Sequence, residues 1–387
     1  METLGFGHLG SFTPLYLEQF GIPTEAVPQW VGLLTAVSFV LGLPLAPLWG
    51  VWADRYSRKL IIVRSTVGEG LIFFLFGIAD APWQLIVARM LVGFILGNTG
   101  VMYALLSDVT PRRQLATAIA FISAGSTLGV SVGPFVGGWL VTWIGFERLF
   151  QLDAVICWAV ALLLIVGLRD TRASDRPRAS TLELLQALPG SLRASPVVLP
   201  LFGIYFIALL GMNMHAPFVP LLVAEVYRGA QLPVAIGTLA LITGVISALC
   251  GPFVGRLGGR YGHRPVLAAC VGIACIAVAV QTFVGDYTAL VVARSVLGAV
   301  AGGLSPLIVS VIALATPEAQ RASVLSLTLF PGNLSFLIGG VGGSAIAALG
   351  IRAVFAASAG ILAVTSVVTL VAGRLGGRPT PQAEKAR

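Results

Sequence analysis

The amino-acid sequence predicts an all-α integral membrane protein of twelve transmembrane helices in two pseudo-symmetric halves, and three observations carry that expectation. Of 387 residues, 57% are hydrophobic and only 10% are charged, well outside the composition of a water-soluble domain. The apolar residues gather in long runs that repeatedly reach the roughly 20 residues a helix needs to cross a bilayer. Stretches of the first half also return, in order, in the second. A β-barrel would show short alternating segments instead. The 46 glycines fit transmembrane helices, where Gly is common.

Taken between charged or Pro/Gly-rich breaks, the runs fall at 3–20, 29–51, 60–79, 83–106, 114–140, 148–167, 197–222, 233–254, 265–284, 287–313, 321–347 and 352–373. The first offers fewer than about 20 residues before Glu18. The expectation is therefore either a start upstream of Met1 or a first helix truncated at its inner end. The widest polar interval, 168–196, contains RDTRASDRPRAS and reads as a linker. It separates an N-terminal six-helix half (1–167) from a C-terminal one (197–373), with a polar tail at 374–387.

Loop cations orient the chain, because they accumulate on the cytoplasmic side. Of 24 lysines and arginines, 19 fall on the side of the linker and tail. Three (Arg148, Arg228, Arg352) fall on the other side, and Arg89 and Arg294 lie inside spans. A multi-pass protein of the cell membrane (inner or plasma), with both termini cytoplasmic, is the expected topology. The net charge of +8 resides in these loops, so no nucleic-acid partner is expected. Cys157, Cys250, Cys270 and Cys275 sit in apolar segments without a CxxC pair and read as inert buried thiols. No cleavable signal peptide is visible.

The halves repeat one another. GVWADRYSRK, from Gly50, is matched by GRLGGRYGHR, from Gly255. LIVARMLVGFILG, from Leu85, is matched by LVVARSVLGAVAG, from Leu290, which pairs Arg89 with Arg294. TPRRQLATA, from Thr110, is matched by TPEAQRASV, from Thr316. Such repeats build many secondary transporters, with substrate bound near the midplane where the repeats meet.

Three motifs carry a family resemblance. GVWADRYSRK resembles the loop 2–3 signature of the major facilitator superfamily, and RMLVG resembles that family's helix-4 arginine motif. GSTLGVSVGPFVGG, Gly125 to Gly138, resembles the helix-5 motif of its exporters, in particular the twelve-helix drug:proton antiporters. Ser57 stands where the family has Gly, and Gly259 stands in the second copy where the first has Asp54. The resemblance implies the major facilitator fold, a small-molecule substrate, a lipid-embedded monomer, and a proton gradient as energy source with no cofactor.

It also implies roles. Gly50, Asp54, Arg55, Arg58, Lys59, Asp108, Arg112 and Arg113 would form a cytoplasmic gate. In it Asp54 meets the start of the eleventh span near Arg321 and pairs with Arg112 or Arg113, while Arg55 and Arg58 pair with Asp108. Partly exposed pairs are each worth about 1 kcal/mol or less, so several together suit a reversible latch. Arg89 lies in an apolar span, where a charge costs about 2.5 kcal/mol or more and marks function. Snorkelling to the helix end is its alternative, and the family's helix-4 arginine implies proton coupling. Arg294 is its repeat mate, and Gly255, Arg260 and Arg264 belong to the second copy of the loop. Gly125, Gly129, Gly133 and Gly137 recur every four residues, forming a ridge that admits a close helix. Pro134 would bend it, and Gly138 completes the motif.

Further candidates for carrying a proton are Glu69, deep in the third span, and His8 and His215, at equivalent places in the first and seventh. Neutral packing is the alternative for Glu69. Asp153, near the outer end of the sixth span, is expected to be solvated. There is no GxxxxGK phosphate loop, HExxH pair or metal cluster, and GFGHLG lacks the preceding strand of a dinucleotide site. The expected activity is export of drugs or other amphipathic small molecules, coupled to protons. A sugar or metabolite carrier is the rival. The few, dispersed ionisable groups in the spans argue against a membrane-embedded enzyme, and paired gates on related halves argue against a channel.

Overall fold

The computed structural model describes residues 2–45, 57–95, 98–168, 198–316, 324 and 328–375. Among them there is helix and turn but no strand. The first helices are α1 (Glu2–Glu18) and α2 (Val27–Val40). The third, α3 (Arg58–Gly77), begins at Ser57, whose Oγ accepts the Leu60 N–H at 3.1 Å. That N-cap satisfies a donor the helix leaves free and gives Ser57 a structural role. In α4 (Pro82–Val92) proline sits in the first turn, where a missing N–H costs nothing. After α5 (Asn98–Val109) comes α6 (Arg112–Gly167), which is two helices end to end. Gly145, at φ 82°, breaks it in a backbone region that glycine enters cheaply.

The second half holds α7 (Val198–Met214), a 3-10 turn (Ala216–Phe218), α8 (Val219–Val226), α9 (Leu232–Tyr261) and α10 (His263–Gln281). It ends with α11 (Tyr287–Ala315), α12 (Leu329–Ala347) and α13 (Ile351–Leu375). Asp286 caps α11, accepting the Ala289 N–H at 2.9 Å. All twelve expected segments contain helix. The fourth span comprises α4 and α5, the fifth and sixth are the two legs of α6, and the seventh comprises α7 and α8. Eight helices among the described residues are individually long and apolar enough to cross a membrane, counting Thr117–Gly167 once.

In the second half two boundaries differ from expectation. The seventh span is interrupted at Ala216–Phe218, where Pro217 and Pro220 remove backbone donors. The eighth span runs on to Tyr261, so Gly255 and Arg260 are helical where a loop was expected. A single residue, Gly262 at φ 95°, then turns the chain into α10. The glycines do not stop α9 because tertiary packing supports it: a side chain at Gly258 would strike Leu307 of α11.

Small residues bring the halves together. On α6 and α9, Gly138 faces the Pro233 carbonyl, Gly237 faces Pro134 and Phe135, and Gly244 faces Ser131. On α2 and α12, Gly32 faces Gly340 and Ser344, Gly340 faces Ala36, and Phe39 stacks on Phe336 at 5.1 Å and 7° between planes. Both crossings lie toward the end at which α2 and α9 begin. Toward the arginine-rich end no such crossing falls among the described residues. Space is open at Gly125 and Gly255, and Phe121, Leu249 and Phe253 are largely exposed. Over the described residues the helices therefore form a V, closed at one end and spaced apart toward the arginine-rich end.

Candidate functional site

In so apolar a molecule the informative residues are the buried polar ones. His8 of α1 is 1% exposed and Asp153 of α6 is 4% exposed. Their side chains meet: Nδ1 of His8 lies 2.7 Å from Oδ2 of Asp153. The other ring nitrogen, Nε2, lies 2.9 Å from the Gly133 carbonyl oxygen. Asp153 is therefore not solvated, as its nearness to a span end suggested. It sits eight residues past the Gly145 bend, about 12 Å along the helix, far enough to leave water behind. Removing either partner of such a buried pair typically costs about 3–5 kcal/mol.

The glycine ridge explains how α1 comes so near. A side chain at Gly129 would strike Thr3, one at Gly133 would meet the Leu4 carbonyl, and one at Gly137 would lie 2.5 Å from the His8 ring. The ridge seats α1 of the same half, while the adjacent face, at Gly138, receives α9 of the other. The second half repeats this division of labour. Gly339 and Gly343 of α12 lie against Met214 and Phe218, while Gly340 and Ser344 lie against α2.

Arg89 reaches the same helix. Its Nη2 donates to Leu9 O at 3.2 Å and to Thr13 Oγ1 at 2.9 Å, and its guanidinium lies 5.6 Å from the centre of the Phe76 ring. Thr13 in turn donates to Leu9 O. Arg89 therefore turns inward to α1 instead of snorkelling outward. Arg294, its repeat mate, lies 3.4 Å through Nη1 from Nε2 of His215, whose Nδ1 is 3.1 Å from Gly211 O. The two symmetric histidines thus sit in opposite company: His8 between two acceptors, His215 between an acceptor and an obligatory donor. Glu69 is 1% exposed in α3, flanked by glycines whose open faces meet Ile95 and Trp158.

Of the expected gate, Gly50, Asp54 and Arg55 lie outside the described residues, as do the side chains of Asp108, Arg112 and Arg113. Arg58 opens α3, and Lys59 Nζ donates to Ile165 O at 2.6 Å, capping the last turn of α6. In the second copy the Arg260 guanidinium lies 5.4 Å from the centre of the Tyr261 ring. Arg264 lines an open cleft of about 340 Å³ with His263, Val311 and Leu314. Asp153 and Thr13 are the site residues that sequence reasoning missed. The only signal for Asp153 was a lone carboxylate inside a span opposite a lone histidine in another.

A family model for the Major Facilitator Superfamily matches residues 1–235 and 201–387. Multidrug resistance protein MdtG of Citrobacter koseri is 29% identical over 354 residues, covering 91% of this chain and 87% of that protein. The protein of the same name in Salmonella typhi is 29% identical over 356 residues, with the same coverage. Among solved structures, the nucleoside transporter NupG superposes with a TM-score of 0.78 at 15% identity, covering 96% of both chains. A bacterial homologue of the human lysosomal transporter Spinster, inward-facing and occupied, gives 0.76 at 21% identity over 98% of this chain and 96% of that one.

Proposed function

The chain belongs to the Major Facilitator Superfamily, and from that premise we propose that it is a proton-coupled secondary exporter of drugs or other amphipathic small molecules. The observation that carries the reading is the V of the described helices, sealed by glycine crossings at one end and spaced apart toward the other. Sealing one end while opening the other is what alternating access requires, and two related halves meeting along small residues can rock without unpacking their cores. The names of the relatives, multidrug resistance proteins, support the substrate class.

In this reading the arginine-rich face is cytoplasmic, by the positive-inside rule, so both termini are cytoplasmic and the V faces inward. The membrane is the cell membrane and the functional unit is a monomer. The halves are 1–167 and 197–373, joined by the linker at 168–196. When the V reverses, Gly50, Asp54, Arg55, Arg58 and Lys59 close on Asp108, Arg112 and Arg113 as a latch. Substrate enters between the halves, and the proton gradient supplies the energy in place of a cofactor. Arg89 holds the first helix in the geometry that coupling needs.

The test is transport by the purified protein in liposomes under an imposed pH gradient, across dyes, drugs and sugars. Export of amphipathic cations, lost in Arg89→Ala, is the expected result. Movement of sugars alone would replace the reading with a metabolite carrier.

A further inference from the structure

The chain has three histidines, and two of them, His8 and His215, hold equivalent places with unlike surroundings. Both ring nitrogens of His8 face acceptors, the Asp153 carboxylate at Nδ1 and the Gly133 carbonyl at Nε2. A carbonyl oxygen never donates, so Nε2 carries a hydrogen whenever that contact is made. The contact at Nδ1 then needs one more proton, on the ring or on the carboxyl. In either form the pair is neutral as a unit. Without that proton a ring lone pair faces a carboxylate in a site water does not reach, and the contact cannot hold. At His215 the neutral Nδ1–H tautomer satisfies Gly211 O and Arg294 together, leaving no vacancy for a second proton.

We propose that His8 and Asp153 form one shared proton-binding site, and that its proton fastens α1 to the glycine ridge of α6. Taking up a proton makes one N–H or O–H bond and closes the contact; releasing it to water opens the contact at Gly133 and Gly137. Of the other charged groups on elements packed against α1, Arg58, Lys59 and Arg64 lie in the first two turns of α3, Arg112 and Arg113 begin α6, and Arg256 and Arg260 lie in the last turns of α9, all at the arginine-rich ends of those helices. Arg89 of α4 bonds to Leu9 O, the residue after His8, and Glu69 lies buried on α3, whose Phe73 meets Gly5. Glu147 and Arg148 of α6 are exposed beside Phe146, and Glu225 of α8 is paired with Arg352. Asp153 alone among these touches the His8 ring. That this site drives transport rests on the export reading; that it binds a proton does not.

The experiment therefore has two arms. In the first, the full chain in lipid nanodiscs carries ¹⁵N-labelled histidine, the three rings are assigned by single His→Gln changes, and imidazole signals are followed between about pH 5 and 8. Expected is a single protonation step at His8 that Asp153→Asn abolishes or displaces and Asp153→Glu, which keeps the carboxylate, restores. His215 should stay the neutral Nδ1–H tautomer throughout. A His8 ring fixed in one state over that range, or an Asp153→Asn variant that titrates as the parent does, overturns the proposal. In the second arm, liposomes containing each variant are tested with rhodamine 6G. His8→Gln and Asp153→Asn should lose pH-gradient-driven export while keeping downhill exchange, and uphill export retained in both overturns the coupling. If the parent moves no rhodamine 6G but titrates as described, the proton site stands and the export reading falls.

Discussion

At the scale of the residue, the molecule depends on where it lacks side chains. The His8 ring lies over Gly137, so the methyl of Gly137→Ala would lie 2.5 Å from its Cδ2 and 2.6 Å from Nε2. Something must move, and the ring is freer to do so than the backbone. We expect Gly137→Ala to abolish gradient-driven export without removing any titratable group, and to displace the His8 imidazole signals. Gly10→Ala, where nothing lies within 4 Å, should be silent or slightly stabilising, since Ala is favoured over Gly in a helix by about 1 kcal/mol. Equal loss of export in both would mean that the ridge merely tolerates no added bulk. Arg352 acts in a similarly local way. It donates to Glu225 at 2.8 Å and to the carbonyls of Thr282 and Val284 at 2.9 Å, stapling the start of α13 to the end of α10.

At the scale of the element, the crossing of α6 and α9 is the part most open to test. Gly237 packs on the Pro134 carbonyl and Phe135, so a larger residue there wedges the closed end apart. Spin labels at Glu25 and Arg228, both exposed at that end, should move farther apart on average in Gly237→Leu. An unchanged distance distribution would mean the crossing is not what holds that end shut. The latch is tested separately. Asp54→Asn should retain expression and insertion while cutting transport severely, because it removes charge without changing size. Gly259→Asp should do much less, as the second copy already lacks the carboxylate. Transport near the parent level in Asp54→Asn would leave that loop as a topology anchor alone.

At the scale of the whole molecule, the topology prediction is direct. With the four native cysteines replaced, cysteines at Glu25 and Arg228 should label with an impermeant thiol reagent in intact cells, and those at Arg58 and Arg176 should not. External labelling at 176 would invert the reading of both gates. Much of this architecture is written locally. Apolar runs, loop cations and a spaced repeat each involve neighbours in sequence, and all twelve segments follow from them. The i, i+4 glycines of the fifth span are legible as a ridge for the same reason. What they face is not, because spacing marks a bare surface without naming what rests on it. It is α1 that fills the ridge, and the bond from His8 to Asp153 spans 145 positions. Nothing near Asp153 in sequence separates it from a solvated carboxylate at a helix end. Likewise, Gly255 and Arg260 look like loop residues by analogy with the first copy, yet packing against α11 carries α9 through them.

That span of 145 positions also orders the birth of the protein. A ribosome adds about 5–20 residues per second, so Asp153 is made roughly 7 to 30 seconds after His8. Through that interval α1 stands in the bilayer with its histidine unmatched. Phe76 arrives sooner, its carbonyl accepting from the Tyr16 hydroxyl across 60 positions, and Arg89 follows, 80 positions after Leu9, whose carbonyl it binds. Asp153 completes the attachment only when the second leg of α6 turns back at Gly145. The hold on α1 is thus completed late, and a chain lacking Asp153 should linger at the insertion machinery longer than one lacking His215.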